Sequence, residues 1–158
     1  MKWEETTVAV KNPAGAAVKP EKKLKLNKAS VKEYSAVYVI GALGYSIIEI
    51  IWRGNTHWTM TLTGGVCFVL VYFTNLRMRF KKLWEKCLFG SGIITSVEFS
   101  VGCLVNLVLK WNVWDYSGMH FNILGQVCLL YSGLWFLLCV PLCGLTSFLH
   151  GVFLKKFA

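Results

Sequence analysis

The residue with the clearest chemical potential is Glu98, a carboxylate in the middle of a long apolar run. An ionised carboxylate at the centre of a bilayer costs at least ~2.5 kcal/mol unless it is paired, protonated or hydrated. If this run is helical, spacings of 4, 3, 4 and 4 place small and polar residues on the face of Glu98, namely Ser91, Thr95, Gly102 and Asn106. The stripe predicts a polar surface that faces other helices.

Two roles for Glu98 follow from this position, and the residue types do not decide between them. In the first, the carboxylate is protonatable or belongs to a site for an ion or substrate. In the second, it joins helices by hydrogen bonding a partner such as Gln126 or Asn106. Both interpretations stay open.

A second acidic residue lies in an earlier apolar run. Glu49 and Arg53 are four residues apart, so one helical face carries both, and we expect a structural ion pair about one turn below the membrane surface. Asn122 and Gln126 are predicted in the first turns of the last apolar segment. With Glu98, these side chains predict a polar pocket in one half of a helical bundle.

The predicted loops carry further polar and aromatic residues. Two histidines and an aspartate are of the types that bind zinc, but their spacing matches no metal motif: His57, Asp115 and His120. We therefore expect interfacial hydrogen bonding there, and neither a metal nor another cofactor. The aromatic residues of these loops are expected at the membrane surface, where their rings prefer to lie: Trp58, Trp114 and Tyr116.

The composition is that of a membrane protein. Of the 158 residues, 55% are hydrophobic and 15% are aromatic, and the mean hydropathy is +0.51. A bilayer core of about 30 Å requires roughly 20 apolar residues as helix. Four segments qualify, at residues 34–52, 58–76, 87–109 and 121–142. The sequence therefore predicts an all-α membrane protein with four transmembrane helices.

The two ends of the chain differ from this apolar part. Residues 1–33 carry eight lysines and four glutamates with few large apolar residues, so we predict a basic, largely disordered head that contacts anionic lipids. No cleavable signal peptide is recognisable there. Residues 143–158 are too short for another crossing. They are expected either to continue the last helix past Pro141 or to lie in the interface.

The lysines and arginines predict the orientation. These residues resist translocation and collect in cytoplasmic segments. Most of them lie in the head, in residues 77–86 and at the end of the chain. Both termini of this multi-pass protein are therefore predicted to be cytoplasmic.

A short internal match predicts a duplication. GGVCF at residues 64–68 matches GQVCL at residues 125–129, and Glu49 and Glu98 precede the two segments. We interpret the four helices as two tandem related hairpins, with an axis along the membrane normal.

Several function classes are not indicated. No order of Ser, His and Asp, no phosphate-binding loop and no HExxH sequence is present, so we do not expect an enzyme. The basic head lacks the interleaved aromatic residues of nucleic-acid-binding proteins, so no nucleic-acid partner is expected. The six cysteines lie in or beside apolar runs, where they are expected to be buried thiols.

Four blocks of sequence resemble a known family. They are GYSIIEIIWRGNTHWTMTLTGGVCF at residues 44–68, ITSVEF at 94–99, VWDYS at 113–117 and FNILGQVCLLYSGLW at 121–135. They are similar to bacterial proteins called "Putative ABC-transporter type IV", or CmpB-like permeases. The resemblance implies a permease component of the bacterial cell membrane.

Such a component would not be a complete transporter. With four helices and no nucleotide-binding motif, it would form an oligomer and, if driven by ATP, recruit a separate ATPase subunit. The alternative is a membrane scaffold, sensor or assembly subunit that transports nothing. The lipid bilayer is the partner in either case.

Overall fold

The computed structural model describes residues 28–157, with side chains for residues 31–155. Four long helices run through this part of the chain: α1 (Lys28–Arg53), α2 (Trp58–Arg77), α3 (Leu83–Gly102) and α4 (Leu129–Phe157). A π-helix, Cys103–Val108, extends α3. All four helices are long and apolar enough to cross a membrane. The prediction of an all-α protein with four transmembrane helices is confirmed.

The loops define two ends of the bundle. Residues 54–57 join α1 to α2 and residues 109–128 join the π-helix to α4. The two loops meet, because Arg53 Nη2 donates a hydrogen bond to the Val113 carbonyl at 2.9 Å. We call this the loop end. The opposite end, where residues 78–82 join α2 to α3, is called the basic end.

α1 begins earlier than the apolar pattern suggested. It starts at Lys28 rather than at residue 34, so the described last residues of the head are helical, whereas the predicted disorder of residues 1–27 lies outside the described part. A tertiary contact stabilises this extra turn. Glu33 accepts a hydrogen bond from the Tyr72 hydroxyl, and Glu33 Oε1 lies 3.3 Å from Nδ1 of His150 on α4.

The start of the fourth helix was predicted wrongly. Residues 121–128 are not helical, because they form two short antiparallel strands, β1 (Asn122–Ile123) and β2 (Val127–Cys128). Between the strands, Leu124 and Gly125 have φ values of 51° and 68°. These values belong to a tight turn and not to a right-handed helix.

α4 compensates for this later start by extending past Pro141. Residues 143–157 therefore continue the last helix, which was one of the two expected arrangements. The apolar span of this helix covers Leu129–Lys155.

The two segments of the predicted internal match differ in secondary structure. GGVCF lies inside α2, whereas GQVCL comprises the end of the turn, β2 and the first residue of α4. The glycines also serve different purposes. Gly125 supplies a positive φ at a turn, whereas Gly64 and Gly65 let another helix approach α2 closely.

The closest packing joins α1 to α2. A Cβ on Gly65 would lie 2.6 Å from the Tyr38 ring, and a Cβ on Gly41 would lie 3.0 Å from the Gly64 carbonyl oxygen. Small residues of this kind allow helix backbones to meet inside membranes, where lipid supplies no hydrophobic force between helices.

α2, α3 and α4 share a separate apolar core. It is built largely from thiols and branched side chains, namely Cys67, Val71, Cys87, Ile94, Cys139 and Cys143. α3 and α4 meet closely at Gly90, where a Cβ would lie 2.7 Å from Cys139 Sγ. α1 therefore packs on α2, while α4 packs on α3.

Candidate functional site

Glu98 lies on α3 and is buried, with 4% of its surface exposed. Its Oε1 accepts a hydrogen bond from the Tyr45 hydroxyl at 3.0 Å, and its Oε2 accepts one from Trp135 Nε1 at 2.7 Å. The ion pairs found between residues 31 and 155 do not include Glu98. The carboxylate is thus held by two neutral donors.

These two donors belong to different helices. Tyr45 is on α1 and Trp135 is on α4, so Glu98 links both helices to α3. With a rise of 1.5 Å per residue, Glu98 lies roughly 15 Å from the Val108 end of its helix. A charged group at this depth needs hydrogen bonds from its surroundings.

The expected partners of Glu98, Gln126 and Asn106, were wrong. Gln126 was placed one turn inside a helix, but it lies in the strand turn at the loop end. The donors Tyr45 and Trp135 were not identified as its partners. The signal available was Trp135 itself, since a tryptophan six residues inside an apolar helix requires an acceptor for its indole N–H.

A cleft runs between α1 and α4 beside this carboxylate. The Tyr45 and Trp135 rings stack with centroids 5.8 Å apart and contribute to both cavities of the cleft. One cavity, of about 220 Å³, lies at the loop end and contains Glu49 and Arg53. The other, of about 140 Å³, is deeper and almost wholly apolar. The remaining residues of the deeper cavity include Ile40, Gly44, Ile48, Leu138, Leu142 and Leu145.

The predicted pair of Glu49 and Arg53 is confirmed. Arg53 Nη1 lies 2.9 Å from Glu49 Oε1, and the Thr56 hydroxyl donates to Oε2. The Glu49 side chain is 7% exposed and that of Arg53 is 33% exposed. The carboxylate is therefore buried behind the guanidinium, which also anchors α1 to the Val113 carbonyl.

The polar stripe on α3 faces inward as predicted. Ser91, Glu98, Gly102 and Asn106 are buried, and the half-buried Thr95 donates to the Ser132 hydroxyl of α4 at 3.1 Å. The members of the stripe nevertheless have separate roles. Only Glu98 contacts both walls of the cleft.

Asn106 and Gln126 organise the long loop. Asn106 Nδ2 donates to the Trp114 carbonyl at 3.0 Å and to Gln126 Oε1 at 2.8 Å, while Asn106 Oδ1 accepts from Val113 N at 2.7 Å. Trp114 Nε1 donates to the Gln126 carbonyl at 2.9 Å. This network folds the loop onto the end of the bundle.

Asp115 and Asn122 complete the same loop. Asp115 accepts hydrogen bonds from the backbone and hydroxyl of Ser117 at 2.8 and 2.9 Å. Asn122 donates to the Met119 carbonyl at 2.8 Å and accepts from Gly125 N at 3.1 Å. Both side chains stabilise turns and lie outside the polar pocket that the sequence predicted for Asn122.

Tyr116 is the loop residue that reaches the cleft. Its ring stacks on Tyr131 of α4 with centroids 4.6 Å apart, and both rings line the cavity at the loop end. Burial and, secondarily, the charge of Glu98 raise the pKa of Tyr116. The phenol therefore stays neutral and can donate a hydrogen bond.

The histidines of the loops do not form a shared site. His57 caps α2 by accepting a hydrogen bond from Thr59 N at 3.4 Å, and its ring packs near Trp58 and Trp111. His120 is exposed. Between residues 28 and 157, no group of three or more His, Cys, Asp or Glu side chains is arranged to hold a metal ion.

Comparison with known proteins gives one family. The model of a family described as "Putative ABC-transporter type IV" matches residues 34–157. This range contains the Glu98 site, the cleft and the long loop. The curated proteins and the solved structures that were searched give no match.

Proposed function

The chain belongs to the family described as "Putative ABC-transporter type IV", and we propose that it is the permease component of a transporter. The observation that carries this proposal is the double hydrogen bond of Glu98. Its carboxylate joins Tyr45 on one wall of the cleft to Trp135 on the other. A site that holds two helices through one buried acid suits a protein in which those helices separate.

Opening of the cleft changes the hydrogen bonding of Glu98. If α1 moves away from α4, the carboxylate loses the donor on one side, and an ionised group at this depth becomes less stable. Protonation of Glu98 offsets that loss. Uptake of a proton is thus linked to the open cleft, and its release to the closed cleft.

The two carboxylate oxygens are not equivalent in this exchange. Trp135 Nε1 can only donate, so Oε2 remains an acceptor in both states. The Tyr45 hydroxyl donates to Oε1 in the closed cleft and leaves it when α1 moves away, so Oε1 is the oxygen that can take up the proton. Oε1 is therefore the atom assigned to the transferable proton.

The test is substrate-driven proton movement in vesicles. The full chain, purified with any subunits that accompany it, is reconstituted in proteoliposomes that contain the pH dye pyranine. A panel of small organic ions and amphiphiles is added outside, with and without ATP on each side of the membrane. We expect at least one compound to acidify the wild-type vesicles, and Glu98→Gln to abolish that signal.

A matched variant controls for loss of structure. Tyr38→Phe removes a weaker bond on α1, from the Tyr38 hydroxyl to the Leu62 carbonyl at 3.4 Å, and should transport normally. Transport by Glu98→Gln at the wild-type rate would refute the role of Glu98. Absence of transport for every compound would favour the alternative function below.

A separate ATPase subunit is proposed as the partner. The loop at the basic end is its candidate contact, because Phe80 is 87% exposed there. The Cζ atom of Arg79 lies 4.5 Å from the centroid of the Phe80 ring, so a cation and an aromatic ring are presented together. This assignment requires both termini and residues 78–82 to be cytoplasmic, in the cell membrane of a bacterium. A photoreactive amino acid at position 80 should crosslink to an ATP-binding protein in native membranes.

The alternative is a membrane scaffold or assembly subunit. The turn between the two strands favours it, since Phe121, Ile123 and Leu124 are 80%, 57% and 65% exposed at the loop end. An apolar tip on a rigid loop suits a protein contact. Full activity of a partner complex with Glu98→Gln, and its loss with Leu124→Asp, would support this second function.

A further inference from the structure

The cleft between α1 and α4 has the form of a site for a single lipid molecule. Its deeper cavity is lined mainly by aliphatic side chains and glycines, together with Cys67 and the rings of Tyr45, Phe68 and Trp135. Its loop-end cavity contains the charged groups of Glu49 and Arg53 and the phenols of Tyr116 and Tyr131. A cleft that changes from apolar to polar along its length matches the two parts of an amphiphile. The polar end also lies at the end of the helices, where lipid headgroups lie.

The opening of the cleft follows from two glycines on α1. Gly41 faces α2, where an added Cβ would collide with Phe68. Gly44 lines the deeper cavity, and an added Cβ there would meet nothing within 4 Å. The first glycine draws α1 onto α2, and the second leaves space on the side of α4.

The polar end of the cleft is rich in donors. Arg53 has five N–H groups, of which two are used in the bonds to Glu49 and Val113. The Tyr131 hydroxyl accepts a hydrogen bond from Trp52 Nε1 at 3.2 Å, so its own proton is free to be donated. The Tyr116 phenol, which lines the same cavity, is a third donor.

This set of donors distinguishes between headgroups. Glu49 is almost fully buried and both of its oxygens already accept hydrogen bonds, so Arg53 is the more exposed member of the ion pair. A ligand group at this position meets donors, which suits a phosphate, because phosphate oxygens only accept. An amine-only headgroup would lack an accessible acceptor of comparable strength.

We propose that this cleft binds a phosphate-bearing membrane lipid, with the phosphate at Arg53 and Tyr131 and an acyl chain along the deeper cavity past Gly44. The inference rests on the proposed function, since it names the substrate class for the same cleft. From Tyr131 to Leu145 the α4 wall is roughly 21 Å long at 1.5 Å per residue. Half of a bilayer core is about 15 Å, so this wall is long enough to lie along an acyl chain of one leaflet.

The test is native mass spectrometry of the full chain in lipid-free detergent, titrated with dioleoyl phosphatidate. Two further ligands separate the parts of the lipid: dioleoylglycerol has the chains without phosphate, and inorganic phosphate has no chain. We expect phosphatidate to bind at least ten times more tightly than dioleoylglycerol. Inorganic phosphate should not bind measurably.

Two glycine variants test where the acyl chain of the lipid lies. Gly44→Phe fills the cleft and should weaken phosphatidate binding at least tenfold. Gly92→Phe is the matched control, because a Cβ on Gly92 also meets nothing within 4 Å but the residue lies on a shallow face of α3. It should bind like the wild type. Equal binding by Gly44→Phe and wild type overturns the proposal.

The proposed contact between Arg53 and the headgroup is tested with a double substitution that leaves the net charge of the protein unchanged. Arg53→Gln combined with Glu49→Gln removes both charges together, and should reduce the preference for phosphatidate over dioleoylglycerol to less than twofold. An unchanged preference overturns the assignment of the phosphate to Arg53.

A measurement on the wild type removes any dependence on variant folding. Phosphatidate with a photoreactive acyl chain should crosslink to residues 40–48 and 134–145. Crosslinks confined to α3 between residues 88 and 97 overturn the proposal. Because these assays contain no transport step, lipid binding without transport refutes the proposed function alone, whereas transport without lipid binding refutes this inference alone.

Discussion

The bond between Tyr45 and Glu98 gives a prediction whose size follows from the structure. Tyr45→Phe removes one hydroxyl and keeps the ring that stacks on Trp135. Hydrogen bonds between membrane helices contribute about 0.6 kcal/mol on average, and bonds to an ionised acceptor are roughly twice as strong. The substitution should therefore destabilise the bundle by about 1.2 kcal/mol.

Tyr45→Phe should have the opposite effect on the free energy of unfolding once the acceptor Glu98 is absent. In Glu98→Leu the Tyr45 hydroxyl is buried without its partner, which costs about 1–3 kcal/mol. Tyr45→Phe then relieves this cost and stabilises the variant by about 1 kcal/mol. The coupling between the two positions is thus expected to be about 2 kcal/mol.

The measurement is a double-mutant cycle, with the free energy of unfolding obtained by steric trapping in bicelles. Tyr38→Phe is the control, because its weaker bond goes to the Leu62 carbonyl and not to Glu98. Its cycle with Glu98→Leu should give no coupling. A coupling below ~0.5 kcal/mol for Tyr45, the range of independent sites, would refute the proposed link.

Three further predictions concern the scaffold. Gly41→Leu should destabilise the bundle by about 1–3 kcal/mol through overpacking against α2. Gly44→Leu, the control, should change stability by less. Both changes are measured with the same unfolding assay. Asn106→Ala removes three loop hydrogen bonds and should increase proteolysis of the long loop at least tenfold, without cleavage in the helices; unchanged protection would contradict its role. Cysteines introduced at Phe80 and Asn112 should be labelled from the cytoplasmic and the opposite side respectively, and labelling of both from one side would contradict four crossings.

Hydropathy predicted the helices because lipid imposes a simple requirement. A segment that crosses the bilayer must satisfy its backbone internally and cover about 30 Å with apolar residues. The first three helices met this requirement close to where the sequence placed them. The spacing of Glu49 and Arg53 likewise predicted their pair, since contacts at i and i+4 depend only on helix geometry.

The start of α4 could not be predicted in this way. FNILGQVC is apolar enough to continue a helix, yet Leu124 and Gly125 adopt positive φ values and Asn122 closes the turn. The turn is also held by a residue distant in sequence, because Asn106 Nδ2 donates to Gln126 Oε1. Apolar composition alone does not distinguish a membrane helix from a loop folded on the bundle.

The partners of Glu98 were unpredictable for a related reason. The donors come from helices 53 residues before it and 37 residues after it, so their meeting depends on how the helices pack. That packing is set by contacts such as Gly64 and Gly65 against α1. The sequence placed the acid on the correct face but could not assign its neighbours.

The most direct measurement for the central claim is the protonation of Glu98 itself. Infrared difference spectra of the reconstituted protein, recorded as the pH is stepped, report the C=O stretch of a protonated carboxyl group. We predict a band that is absent in Glu98→Gln and stronger at a given pH in Tyr45→Phe, because that variant lacks the donor that stabilises the ionised carboxylate at Oε1. Spectra of Glu98→Gln identical to those of the wild type would contradict the account.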